Sequence, residues 1–262
     1  MSFALPSDTP KFLYRYRPVD SYSLRTISHS EFFFCSLDSL NDPFDCNLDF
    51  EYADTSNEIA DYIADMAART WPTVPAEELR RVAYNQVLSG DARKTMNSVI
   101  AAIRSEFQEK LCMLCMSNKN DDILMYSHYA NGHKGLCLEF ATTTHKFYDR
   151  PFKVEYSETF PQPKFSKFDS KNLESLTPFL CTKAMHWSYE QEWRIIKPEK
   201  AGLRQFPPKF LTGIILGSQI EPSSRNSVIE AIQQRGVATK LYEARKSSGR
   251  FSLEIRELGL VK

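Results

Sequence analysis

The chain has 262 residues, with Lys+Arg 33 against Asp+Glu 33, a formal net charge of zero. That balance argues against general nucleic-acid binding, which neutralises phosphates with clustered Lys and Arg, and leaves room only for a local basic cleft. Hydrophobic residues at 42%, aromatics at 13%, and only 9 Gly and 14 Pro exclude a fibrous or linker-rich chain and describe a globular protein with a substantial core.

No stretch approaches the roughly 20 apolar residues of a membrane-spanning helix. Residues 1–10 carry Asp8 and no basic region ahead of Lys11, so no secretory signal is expected. The cysteines at 35, 46, 112, 115, 137 and 181 lie largely inside apolar runs, where a free thiol behaves as a small buried hydrophobe. Reduced thiols and a cytoplasmic location follow as expectations, since disulfide frameworks belong to short secreted chains.

In chain order, 11–17 (KFLYRYR) alternates and reads as a strand stopped by Pro18. Asp20 or Ser21 caps a short helix running to His29, and 31–36 (EFFFCS) reads as a buried strand. Asn41-Asp42-Pro43-Phe44-Asp45 is an Asx turn, followed by a further expected strand over 46–52. Residues 56–110 lack period-2 patterning and read as three helices, 58–69, 76–88 and 92–110. Strands return at 111–117, 134–140, 152–156, 191–197, 210–216, 238–243 and 251–256, with helices at 121–130, 172–185 and 222–234. Helices do not alternate regularly with strands, so the expected class is α+β: a single domain over 1–262 with one mixed-sheet body and a helical insert at about 56–110.

One motif match is a decoy. Cys112-x2-Cys115 and His128-x4-His133 have zinc-finger spacing, but residues three apart on a strand face opposite sides, so no metal site is expected. No GxGxxG or GxxxxGK[ST] phosphate cradle is present.

Four clusters carry chemistry. In Leu13-Tyr14-Arg15-Tyr16-Arg17 the tyrosines share one strand face and the arginines the other, where two guanidinium groups can grip a pyrophosphate or carboxylate. The alternative is a charged edge strand. The Asn41–Asp45 segment is the second, best read as structural. The third, Met125-Tyr126-Ser127-His128-Tyr129-Ala130 followed by Asn131-Gly132-His133-Lys134-Gly135, gathers hydroxyls and imidazoles ahead of a strand. The fourth runs from Lys183 through Trp187 and Tyr189 to Glu190-Gln191-Glu192-Trp193-Arg194. Strand geometry beginning at Glu190 would set Glu190, Glu192 and Arg194 on one face, with Arg194 offsetting the repulsion of the carboxylates.

Together these clusters resemble the prokaryotic and phage family known as domain of unknown function 2971, whose members show LYRYR-like, FNDPFD-like, MxSHYAxxHKGxCxxF-like and K…WxYExEWR-like segments in this order. A second resemblance is to ADP-ribosyltransferases, which use an early strand with Arg or His, a middle strand with Ser or Tyr, and a late strand with E-x-E or Q-x-E. Here Arg15 or Arg17, then Tyr126 or Ser127, then Glu190-Gln191-Glu192 follow that order. The S-T-S-type middle motif of that family is missing.

This second resemblance implies NAD as co-substrate, with Glu192, Glu190 and Tyr126 as catalytic residues. Arg15, Arg17, Tyr14, Ser127, His128 and Trp187 would form the cofactor-binding set. Glu192 would bond the ribose hydroxyl and stabilise an oxocarbenium-like cation, and Glu190 would act on the acceptor side. The acceptor is macromolecular or small, and the expected setting is phage defence or a toxin. Two other readings stay open: a non-catalytic sensor or interaction module, and a metal-dependent nuclease using Asp42, Asp45, Glu190 and Glu192.

Overall fold

A computed structural model describes residues 7–47, 55–142, 151–162 and 173–262. The chain forms two compact units, Met1–Leu40 with Leu111–Tyr156 and Met185–Lys262, and Asn41–Lys110 with Ser157–Ala184. The sequence suggests one body with an insert; the structure divides the chain so that the helical stretch shares its unit with a later segment. The arrangement is α+β, with helices and a mixed sheet.

The first unit opens with β1 (Phe12–Arg17) and α1 (Ser21–His29). Asp20 is the N-cap of α1. Its carboxylate accepts from Ser23 N at 2.7 Å, and the Ser23 hydroxyl accepts from Asp20 N at 3.0 Å, a reciprocal cap that satisfies two orphan donors. β2 (Glu31–Ser36) ends this N-terminal part.

The second unit carries α2 (Ser56–Thr70), α3 (Ala76–Leu88) and α4 (Asp91–Lys110). Thr55 and Glu58 form the same kind of box at the start of α2. Ala60, Ala64, Leu79 and Ala83 pack α2 on α3, and α4 buries Ile100, Ile103 and Phe107 at helical spacing. The strand expected over 46–52 does not form at 46–47, and the rest of it lies outside the described residues.

The first unit continues with β3 (Cys112–Ser117), α5 (Ile123–Tyr129), β4 (Leu136–Ala141), β5 (Phe152–Lys153) and β6 (Glu155–Ser157), whose last residue belongs to the second unit. The second unit then adds α6 (Leu173–Leu180) and β7 (Thr182–Ala184), where a single helix to 185 was expected. A 3-10 turn, Met185–Glu190, leads into β8 (Glu192–Lys197) of the first unit, followed by β9 (Gly202–Gln205) and β10 (Leu211–Leu216). The unit closes with α7 (Pro222–Arg235), β11 (Thr239–Lys246) and β12 (Leu253–Val261). Pro222 starts α7 where its missing N–H costs nothing, and Gly236 at φ 69 ends it.

The sheet of the first unit runs β12-β11-β10-β4-β1-β3-β2-β9. One edge of β3 is shared: β1 meets it at Tyr14↔Ser117, while β2 meets it at Cys35↔Met113 and Ser36↔Cys112. β1 and β2 therefore part along that edge. The other edge of β3 pairs with the full length of β8, from Cys112↔Lys197 to Ser117↔Glu192.

One sheet face carries the main core, Leu13, Leu114, Met116, Leu138, Phe140, Trp193 and Ile214 among others, under Ile27 of α1 and Val228, Ala231 and Ile232 of α7. The opposite face carries Tyr16, Cys137, Ile215 and Ala244 under Met125 and Tyr126 of α5. Alternation along β1 fixes this division.

Candidate functional site

The register places Glu139 of β4, Tyr14 of β1, Ser117 of β3 and Glu192 of β8 in one row across four adjacent strands. Direct partners in antiparallel strands share a face, so these side chains project to the side that α5 covers. Glu139, 8% exposed, accepts from the Thr212 hydroxyl at 2.7 Å and lies 3.5 Å from the Tyr14 hydroxyl. Partial burial, and then Glu139, push the Tyr14 phenol up.

The E-x-E segment does not begin a strand. Glu190 ends the 3-10 turn, Gln191 takes φ 42, and β8 starts at Glu192. The left-handed residue breaks the alternation that would have put both carboxylates on one strand face. Ser117 fixes this corner by donating from its hydroxyl to the Glu190 carbonyl at 2.6 Å, and Asn118 N donates to the Gln191 carbonyl at 3.0 Å. The Glu190 carboxylate accepts from the Tyr129 hydroxyl at 2.5 Å.

Glu192 and Arg194 form a two-point pair. Arg194 Nε donates to Glu192 Oε1 at 2.9 Å and Nη2 donates to Oε2 at 3.0 Å, with Arg194 fully buried and Glu192 4% exposed. The salt bridge considered from the sequence is formed and dry. The Cys115 thiol lies in the same cluster, pushed well up by burial first and by Glu192 second, so it is a poor nucleophile. Cys112 faces the main core, on the opposite side of β3. Among the described residues no group of three or more His, Cys, Asp or Glu side chains stands together to hold a metal ion.

Arg15 and Arg17 leave β1 on the face opposite Tyr14 and Tyr16. Arg17 Nη2 lies 4.0 Å from Asp20. Arg15 sits 6.0 Å from the Phe32 ring centroid, and its Nη1 is shielded from solvent with no hydrogen-bond partner among the described residues. Burial first and the like charge of Arg17 second bring it down to about 10. The Cys115 and Cys35 thiols draw it partly back up.

The α5 residues divide. Tyr126 is fully buried, its ring edge-on to Tyr16 at 4.9 Å and stacked on His133 at 5.6 Å. It is a core residue of this face, and its shielded hydroxyl has no partner among the described residues. Ser127 and His128 are exposed. The His128 ring lies 6.2 Å from Tyr189, and Trp187 lies 6.1 Å from Tyr189, so one wall of the site is aromatic. The structure thus brings Tyr14, Tyr126, His128, Trp187, Glu190 and Glu192 to one side of the sheet, while Arg15 and Arg17 leave β1 on the other.

Ser117 and Glu139 are the site residues that sequence reasoning missed, while Tyr129 stands in the third cluster with no role assigned to it. Glu139 had a signal, a lone acid inside the apolar run LCLEF. Ser117 closes an equally apolar run, where a final Ser reads as a strand end.

In the second unit, Asp42 Oδ1 accepts from Phe44 N at 2.9 Å, which forms the expected Asx turn. The Lys183 ammonium lies 3.7 Å from the Asp45 carboxylate, both side chains buried. Of the four carboxylates in the nuclease reading, Asp45 and Glu192 are already ion-paired.

His133 gives a test by titration. Burial first and Lys246 second lower its imidazole below the ordinary 6.5. Below about pH 6.5 the unfolded chain then binds protons that the folded chain refuses, so His133 makes stability fall on acidification through that range. A urea midpoint series from about pH 7.5 to 5.5 is expected to fall less steeply in His133→Asn, because Asn tolerates the left-handed φ of 68 at this position. An unchanged slope would remove His133 as the source.

No curated protein and no solved structure matches the chain. The family model described as a protein of unknown function, DUF2971, matches residues 125–195. That span runs from α5 through β8 and includes Tyr126, Ser127, His128, Trp187, Glu190, Glu192 and Arg194. Over residues 125–195, where the aromatic wall, the left-handed corner and the Glu192–Arg194 pair lie, the chain is similar to the DUF2971 family.

Proposed function

We propose that the face around Tyr14, Glu190 and Glu192 is an ADP-ribosyl-transfer site using NAD as co-substrate, in a cytoplasmic protein acting in phage defence or as a toxin. The observation that carries this reading is the row Tyr14–Ser117–Glu192 across three adjacent strands, an early, a middle and a late strand in the expected order. Ser117 takes the middle position first assigned to Tyr126 or Ser127. Arg15 leaves β1 on the opposite face, and its shielded guanidinium nitrogen without a partner among the described residues suits the pyrophosphate of a dinucleotide that reaches it.

In this reading the nicotinamide–ribose bond breaks with its electron pair leaving on nicotinamide, and positive charge develops on the ribose. Glu192, oriented by Arg194, accepts a ribose hydroxyl and stabilises that charge. Glu190 accepts the proton of the acceptor as its nucleophile bonds to the ribose carbon. Tyr14 or Trp187 stacks on the nicotinamide ring, and the exposed Ser127 and His128 stand at the rim.

One observation favours the non-catalytic module instead: the two-point Glu192–Arg194 pair occupies both oxygens of the carboxylate in a dry core. Calorimetric titration of NAD separates the two readings. Binding, nicotinamide release that persists in a chelator, and binding weakened roughly ten- to a hundredfold by Arg15→Met, about the 1.5–3 kcal/mol of a hydrogen bond to a charged group, are expected. No heat with NAD and no release would leave the interaction module.

A further inference from the structure

The first unit ends its sheet in β12, nine residues long, whose outer edge has no strand partner among the described residues. Such an edge presents unpaired N–H and C=O groups and is a template for another strand unless something blunts it. Here Glu254 and Arg256 are exposed on one face, with Ile255 half-buried between them.

We propose that β12 pairs antiparallel with β12 of a second copy of this chain, with Ile255 on the two-fold axis. The charge pattern selects this occupant. In that register Glu254 of each copy stands opposite the second copy's Arg256, so two reciprocal ion pairs form about the axis.

The inner neighbour extends the pattern. Arg245 of β11 is the register partner of Glu254, and Glu243 is the partner of Arg256. Across the four strands each row would read Arg245, Glu254, the second copy's Arg256, the second copy's Glu243. Charge alternates at every step, and Arg245 already pairs with Glu243 along its own strand.

A bulge between the Leu241 and Tyr242 pairings inserts Leu258 and ends the regular ladder at Glu257. The seam is therefore short, over 253–257. Leu258, Leu260 and the fully exposed Phe251 flank it, and these are apolar groups that a second copy would help cover. This pairing lies away from the carboxylate row and stands whether or not that row is catalytic.

Two single variants test it by sedimentation velocity over a concentration series of the full chain. The native chain is expected to dimerise, more weakly in high salt. Glu254→Lys sets two positive charges against each other at each of the two pairs and Arg256→Glu sets two negative ones, so each variant alone is expected to be monomeric. Mixed in equal amounts they complement each other at both pairs, and the dimer is expected to return as a heterodimer. A native chain that stays monomeric throughout, variants that still dimerise alone, or a mixture that stays monomeric would each overturn the proposal. Recovery in the mixture also shows that neither variant has simply misfolded.

Discussion

Glu192→Gln is expected to destabilise the first unit by about 3–5 kcal/mol, the cost of breaking a buried ion pair from one side. The amide keeps the size of the carboxylate and one acceptor oxygen. Its NH2 group, however, would face one of the two Arg194 N–H donors that now reach Glu192 at 2.9 and 3.0 Å. Arg194 is fully buried and cannot turn to water for compensation. The check is a pair of urea midpoints. Glu192→Gln should fall far below the native chain, and Glu192→Leu with Arg194→Met should recover most of the loss, because removing both charges removes the desolvation cost as well. A Glu192→Gln midpoint within about 1 kcal/mol of native, the range of exposed pairs, would mean that the pair is solvated in solution. A loss of turnover in this variant therefore counts as catalytic only where the variant is shown to be folded.

The same pair marks how far the sequence could be read. Alternation in LYRYR separated tyrosines from arginines, and the structure keeps them on opposite faces because neither side of β1 escapes the period-2 rule. The helices of 56–110 were legible for a similar local reason: apolar residues recur at helical spacing and Thr55 and Glu58 start the first of them. The order of strands around β3 was not legible. Pairing between residues a hundred positions apart depends on matching whole faces and not on local composition. That is why Ser117 was read as a strand end and not as the neighbour of both Tyr14 and Glu192. β9 escaped for another reason, since four residues (GLRQ) give too short a run to establish a period. Nor does E-x-E reveal that Gln191 is left-handed, because the conformation is imposed by the Ser117 and Asn118 bonds to the turn.

Gly217→Ala is expected to cost about 3 kcal/mol, the upper part of the range for overpacking a tight interior. A Cβ at Gly217 would meet the His133 carbonyl oxygen at 2.2 Å and the Gly135 carbonyl oxygen at 2.8 Å, both backbone atoms. The 130–135 loop cannot retreat. Gly217 N donates to Gly135 O at 2.8 Å, Gln219 N to His133 O at 2.9 Å, and His133 N to Tyr126 O at 3.1 Å. On its other side Gly135 is already so close to β1 that its own Cβ would lie 2.3 Å from the Arg17 carbonyl oxygen. Asn131, Gly132 and His133 all take positive φ, so the loop has little freedom left to absorb a shift. Gly132→Ala is the control. It keeps a left-handed φ of 59 but meets nothing within 4 Å, and should cost only the roughly 1–2 kcal/mol of an L-residue in that conformation. Urea midpoints measured side by side should therefore place Gly217→Ala below Gly132→Ala. The reverse order would mean that the contact between β10 and the loop is loose, and that His133 is not held against Tyr126 by the backbone behind it.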